Sequence, residues 1–409
     1  MLAKRSLFTL IFVFSVLLAA CAPTAPAIPE PTMAPTVAPT APPTLSPTAV
    51  PADPITVVQN YWNAFVAKDL ETITNLLADD VRWRGTPYLT GKTSVLSYIQ
   101  GDINSDFTYE ITDMRVTKGR VTYTWAAYKN DAFQTRGEDT MVVENGKIIG
   151  IESYAVMGDD TRPPIAEVAF TASDSAFSGP AEIAGGWVKL TLTNEGQEPH
   201  HIQLVKLFEG KTADDLKTAL AADPENFPTW SQPYGGPNAP DPGGVTSAIV
   251  YLDAGTYALI DVIPNAEGVF HFMTGLVTTL TVTEPKDIIS GEPLADITIN
   301  LTEFTFLVSG ELTPGEHIIR FNNAGKQVHE AVLVKLNEGV TADAYLNTPP
   351  GEIPPAISIG GITGIIPGDG NYIPVTLEAG EYALFCFFPD PGTHAPHFVQ
   401  GMVLQFTVK

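Results

Sequence analysis

Cysteine is nearly absent from this chain, with two in 409 residues, Cys21 and Cys386. At most one disulfide is possible, and none if Cys21 is otherwise engaged. Cations are scarce as well: 22 Lys and Arg stand against 46 Asp and Glu, a formal charge of −24. That balance opposes nucleic acid and anionic lipid as partners, because both need a basic surface. After the first 21 residues there is no uninterrupted apolar run of about 18, so no later segment is long enough to span a membrane. Residues 54–160 contain no His and no Cys, which removes the commonest acid–base and nucleophilic side chains from that part of the chain.

The chain opens MLAKRSLFTLIFVFSVLLAAC. Lys4 and Arg5 make a basic start, residues 7–18 are an apolar run too short for a comfortable membrane span, and small residues precede Cys21. The ending Leu-Ala-Ala-Cys resembles the lipobox of bacterial lipoproteins. The resemblance implies that residues 1–21 are a signal peptide, that Cys21 becomes the lipid-bearing N-terminus, and that the protein is held on the extracytoplasmic face of the cell membrane by lipid alone. The alternative is an ordinary signal peptide with a chance Cys at the cut. Residues 22–54 are almost wholly Ala, Pro, Thr and Val. Such a stretch buries too little apolar surface to fold and reads as an extended linker.

About 355 residues remain, which predicts two or three domains. Over 53–81, Val57, Tyr61, Phe65, Leu70, Ile73, Leu76 and Leu77 recur at helical spacing, and GKTSVLSYIQG predicts a second helix. From Phe107 the pattern alternates with period two, and Asn145-Gly146 predicts a hairpin turn. Helices followed by an antiparallel sheet make an α+β domain. YWNAFVAKDLETITNLLADDVRWRG with the closing ENGKIIGIESY resembles the SnoaL-like group of the nuclear transport factor 2 superfamily, over residues 55–160. That resemblance implies a cone-shaped fold with a pocket between sheet and helices. Candidate pocket residues are Trp83, Tyr123, Trp125 and Asp139, with Arg84 and Tyr88. The pocket is expected to take a small-molecule ligand. No paired acid–base signature is present, so enzymatic turnover is not expected; an Asp general base would need burial to raise its pKa.

The rest of the chain repeats itself. TNEGQEPHHIQLVKLFEGKTADDL matches NNAGKQVHEAVLVKLNEGVTADAY, LDAGTYALIDVIP matches LEAGEYALFCFFP, and HFMTGLVTTLTV matches HFVQGMVLQFTV. Two units of about 115 residues therefore stand in tandem, 163–286 and 292–409. Short β-branched runs punctuated by Gly and Pro predict β-sandwiches, with helix only around TADDLKTALAA and TADAYLNT.

In the second unit, FNNAGKQVHEAVL is followed by Gly380-x-Tyr382, Cys386, His397 and Gly401-Met402. This resembles plastocyanin-like cupredoxins. The resemblance implies Greek-key sandwiches and one type 1-like copper, with His329, Cys386 and His397 as ligands and Met402 axial. Two imidazoles and a thiolate with a weak thioether suit a copper that cycles between Cu(I) and Cu(II). Two departures stand out. Ten residues separate Cys386 from His397, with His394 inside them as a competing ligand, and Glu330 follows the first His where the family often has Asn. Copper loss, with Cys386 a buried small hydrophobe, is the alternative. The first unit keeps His200 and His271 but has Asp261 and Leu276 at the Cys and Met places. No blue centre can form there. Two imidazoles and a carboxylate leave open a weak Zn(II) or Cu(II) site, against a structural spacer or partner-binding sandwich. His201 is expected at the surface or on an edge strand.

The sequence thus predicts a multidomain lipoprotein: an α+β SnoaL-like domain and two all-β cupredoxin-like sandwiches, passing single electrons through copper to an extracytoplasmic redox protein. A metal-free ligand- or protein-binding lipoprotein and a copper store or chaperone are the alternatives.

Overall fold

A computed structural model describes residues 53–409 except 86, 157–163, 225, 286–289, 350, 351 and 353. The chain is multidomain and mostly β, with few helices. Cys21 and the linker up to residue 52 lie outside the described residues.

The N-terminal part has helices at Pro54–Val66, Leu70–Leu76 and Lys92–Ile103. Asp53 caps the first by accepting from Thr56 N–H at 3.1 Å. The helical periodicity seen over 53–81 does not give one helix. Lys68 turns left-handed (φ 59°) and Asp69 caps a new helix through Thr72 N–H at 3.0 Å. Leu77–Arg84 is then a strand and not a helix, because it pairs in parallel with Lys147–Val156. A six-stranded sheet follows the order 89–90, 77–84, 147–156, 132–144, 120–129, 107–117. Asn145 and Gly146, both at positive φ (50° and 73°), turn between its antiparallel strands Ala132–Glu144 and Lys147–Val156. Val57, Val58, Tyr61, Ile73, Val95 and Ile99 of the helices bury against Val121, Tyr123, Met141 and Ile151 of the sheet.

The repeats do not stand as two separate sandwiches. Their strands join edge to edge into two continuous sheets of eight and nine strands, which share one apolar core. Strand Val245–Leu252 pairs antiparallel with its own counterpart Gly370–Leu377 at Ile249 and Tyr372. Ser231–Gly235 does the same with its counterpart Ala356–Ile365 at Tyr234 and Ile365. Antiparallel pairing of equivalent strands is the mark of a twofold relation between the units, as in an isologous dimer. Helices Ala213–Ala222 and Ala342–Leu346, capped by Thr212 and Thr341, fall where the TAD motifs predict them.

A hairpin of the N-terminal sheet is seated on this double unit. The Arg115 guanidinium reaches Glu292 at 3.0 Å and Glu138 at 2.8 Å, and Thr117 and Tyr372 also donate to Glu292. Lys118 is buried, 3.3 Å from Asp369, with its ammonium 3.1 Å above the Tyr234 ring. Burial pushes Lys118 down to about 8 and Asp369 up to about 6.

Candidate metal centre

Four segments converge at one end of the second unit. Asn323 at the end of strand Gly315–Asn323 accepts from Gly325 N–H at 3.0 Å and donates to Gln327 O at 2.8 Å, which shapes the turn into His329. Gly325 has to be glycine: a Cβ there would stand 2.8 Å from His329 Nε2 and 2.7 Å from Glu303 Oε1. His329 begins the strand that runs to Leu336. Cys386 follows strand Gly380–Phe385, His397 opens a short 3₁₀ turn, and Met402 precedes strand Val403–Val408. Backbone bonds fix this loop pair: Cys386 N–H to Met402 O, Phe398 N–H to Cys386 O, Met402 N–H to His397 O, and His397 N–H to Phe388 O.

His329, Cys386, His397 and Met402 are all fully buried. The two Nδ1 atoms lie 3.0 Å apart, and Cys386 Sγ is 3.4 Å from His397 Nδ1. His394 does not enter this group. It sits exposed in the loop at φ 60°, its N–H bonded to Asp390 O. Glu330 ties the two ligand loops together: its carboxylate accepts from Phe387 N–H at 2.9 Å. Its N–H also points at Cys386 Sγ, 3.4 Å away.

The outer ring nitrogens have their own partners. His397 Nε2 meets Gln327 Oε1 at 3.0 Å, and Gln327 in turn donates to Asp390 at 3.0 Å. His329 Nε2 has no hydrogen bond and lies 3.6 Å from Glu303 Oε1. Burial keeps both imidazoles uncharged, with His397 lowered to about 4 by burial and then by the neighbouring His329. Burial also raises the Cys386 thiol far above its ordinary range. Neutral imidazole is the metal-ligating form, and a coordinated thiol loses its proton to the metal. The donor set therefore fits copper: inward nitrogens and sulfur, outward nitrogens held or poised, and a glycine making room.

The first unit builds the same frame with other donors. His200, Asp261 and His271 are buried and converge, both Nδ1 atoms meeting Asp261 Oδ2 at 2.8 and 2.9 Å. Burial opposes charge here too, yet the mutual hydrogen bonds win: Asp261 is held low, and His200 and His271 are raised. His201 is not at the surface as expected. It is buried, and its Nε2 accepts from Val262 N–H at 3.1 Å.

In the N-terminal part, Trp83, Tyr123, Trp125 and Asp139 are all buried. Trp62, Tyr109, Tyr123 and Trp125 pack ring against ring, while Trp83 packs on Tyr98. The indole N–H groups of Trp62, Trp83 and Trp125 and the Tyr123 hydroxyl have no hydrogen-bond partner. Arg84 and Tyr88 are not part of this cluster: Arg84 pairs with Glu284 at 3.0 Å, and Tyr88 is exposed. Sequence reading missed Trp62, which lies one position after Tyr61 on the helix. It also missed Glu303, Gln327 and Asp390, although Glu303 and Gln327 align with Asp174 and Glu198 across the repeat.

Residues 58–151 match the family model of the SnoaL-like domain. Solved structures similar to the chain include an NTF2-like protein of unknown function from Cytophaga hutchinsonii, 13% identical over 27% of this chain and 95% of that one, at a TM-score of 0.24. An LEH-like epoxide hydrolase of M. tuberculosis is 18% identical over 26% and 85%, at 0.23. An NTF2-like protein of Mesorhizobium loti is 16% identical over 25% and 91%, at 0.24. Scores this low say nothing about chemistry. A comparison with curated protein sequences gives no significant match.

Proposed function

We propose that this chain is a lipid-anchored, extracytoplasmic copper protein, in which His329, Cys386, His397 and Met402 would hold one type 1-like copper. The observation that carries the reading is the convergence of the one described thiol with two inward-facing imidazole nitrogens in a fully buried cluster. Bound copper would supply one-electron redox chemistry between Cu(I) and Cu(II). The chain's own contribution is rigidity. Four backbone bonds, the Glu330 tie and the Gln327–Asp390 brace fix the donors, and the second unit is itself stitched to the first through two sheets. A cupredoxin-like reading of both units accounts for the repeat and for the ligand loop. The partner is a second extracytoplasmic redox protein. The signal peptide and Cys21 supply the anchor in this reading; among the described residues no helix is long and apolar enough to cross a membrane.

Metal analysis and a visible spectrum test the centre. One copper per chain and intense thiolate-to-copper absorption are expected. Cys386→Ser should abolish the colour, His329→Ala or His397→Ala should weaken loading, Met402→Leu should keep copper and raise the potential, and His394→Ala should change little. Loaded wild type without thiolate absorption would sink the reading.

The SnoaL-like domain, in the same reading, binds a small molecule without turning it over. Buried indole N–H groups and the Tyr123 hydroxyl left without partners support a polar ligand or water in the cone. Native mass spectrometry of the full chain should show a retained small molecule that is lost in Tyr123→Phe with Trp125→Phe. Multiple turnovers that vanish in Asp139→Asn would overturn the non-enzymatic assignment.

A further inference from the structure

The first unit retains the backbone frame and the two imidazoles of the copper-type site but not its sulfur atoms. Its backbone frame is the same bond for bond: Asp261 N–H to Leu276 O, Phe272 N–H to Asp261 O, Leu276 N–H to His271 O, and His271 N–H to Ile263 O. Its glycine is the same too, since a Cβ on Gly196 would stand 2.7 Å from His200 Nε2. Two imidazoles and a carboxylate are thus kept buried with their donor atoms on one point.

We propose that the first unit is a second metal centre, a zinc(II) site whose protein ligands are His200 Nδ1, His271 Nδ1 and Asp261 Oδ2. The Nδ1 atoms are 3.2 Å apart, and each is within 2.9 Å of Asp261 Oδ2. Tetrahedral ligands at metal–nitrogen bonds of about 2.0 Å stand about 3.3 Å from one another, so the donors need to part by only a few tenths of an ångström. The outer shell is more complete than in the second unit. His200 Nε2 bonds Asp174 at 3.0 Å, and His271 Nε2 bonds Glu198 at 2.8 Å. A carboxylate on the far nitrogen fixes the imidazole and strengthens it as a donor. The second unit has a Gln, an amide, in place of Glu198, and its Glu303 stands off at 3.6 Å. Three carboxylates around two imidazoles favour a divalent ion. Leu276, buried at the place of Met402, brings no soft donor, and with no thiolate the site has little hold on Cu(I). The two units thus divide the metals by hardness on one frame.

The test uses the full chain carrying Cys386→Ser, so that no thiolate contributes, stripped with a chelator and titrated with cobalt(II) and then zinc(II). One cobalt per chain is expected, with the visible ligand-field bands of a low-coordinate nitrogen–oxygen site, displaced by one equivalent of zinc. Adding Asp261→Asn, which keeps the shape and removes the charge, should weaken binding by more than about 100-fold, beyond the loss typical of an outer-shell change. As a second readout, zinc should raise the thermal midpoint of the Cys386→Ser chain but not of the chain that also carries Asp261→Asn. If no cobalt binds, or if it binds equally after Asp261→Asn, the inference is wrong and the cluster is a hydrogen-bonded ionic prop. Failure of the copper reading would appear separately, as a missing thiolate band in copper-loaded wild type.

Discussion

Glu330 is a buried carboxyl beside the candidate copper ligands, and its replacement by glutamine has a calculable consequence. Burial raises its pKa from 4.5 to about 7, against hydrogen bonds that include the one from Phe387 N–H. The folded value exceeds the unfolded one, so the folded state holds the proton more tightly. Below pH 4.5 both states are protonated and the group costs nothing. Between about 4.5 and 7 the unfolded chain ionises first, and stability falls as pH rises. At about 1.4 kcal/mol per pKa unit, the full loss is at most about 3 kcal/mol, reached above pH 7. Glutamine keeps the acceptor oxygen for Phe387 and cannot ionise. In metal-free protein, Glu330→Gln should match wild type at pH 4 and exceed it by about 2–3 kcal/mol at pH 8. Urea unfolding of the chelator-treated chain, followed by far-UV circular dichroism from pH 4 to pH 8, measures the difference. A Gln variant no more stable than wild type at pH 8, or a difference that does not change with pH, would refute the argument.

Three further outcomes are expected. Gln327→Leu removes the partner of His397 Nε2 and the brace to Asp390, and should lower copper affinity by about 10–100-fold while leaving the thiolate band in the loaded form; unchanged affinity in a competition titration would count against the brace. Lys118→Met leaves Asp369 buried without its cation and should cost about 3–5 kcal/mol of unfolding free energy, read from the denaturation midpoint, whereas a loss under about 1 kcal/mol would show that the seam between the SnoaL-like domain and the double sandwich is not held there. Cys21→Ser should leave the mature protein without acyl mass and outside the detergent phase, because a hydroxyl cannot form the thioether; an acylated N-terminus in that variant would dispose of the lipobox assignment.

Local order was legible wherever a short-range rule decided it. The turn at Asn145-Gly146 needs positive φ at both positions, and the helices after Thr212 and Thr341 follow their caps. The strand Leu77–Arg84 was not legible. Its apolar residues fit a helix as well as a strand, and only the distant pairing with Lys147–Val156 decides between them. His201 was misplaced for the same reason. Next to His200 in a strand-like segment it should face the other way and outward, but it is buried and its Nε2 accepts from Val262 N–H across the fold.

The repeat shows most clearly what a sequence carries and what only a fold adds. Aligning the two units placed His200 against His329, Asp261 against Cys386, His271 against His397 and Leu276 against Met402, and the structure gathers His397, not His394, with His329 and Cys386. What alignment could not supply was the joint. Strands 231–235 and 356–365 meet antiparallel across the twofold relation, and the sequences on either side hold no sign that they are partners, because a strand edge is recognised by its backbone and not by its side chains. That joint gives the two candidate centres one scaffold. Gln203, three residues from His200, donates to Gly364 O of the other unit, and Thr363 donates back to Ile202 O. A pair fixed in this way can diverge in its ligands without losing its frame, because the backbone bonds that aim the imidazoles do not involve the exchanged side chains. Exchange of Cys for Asp and Met for Leu then changes the donor atoms and leaves their place in the frame untouched.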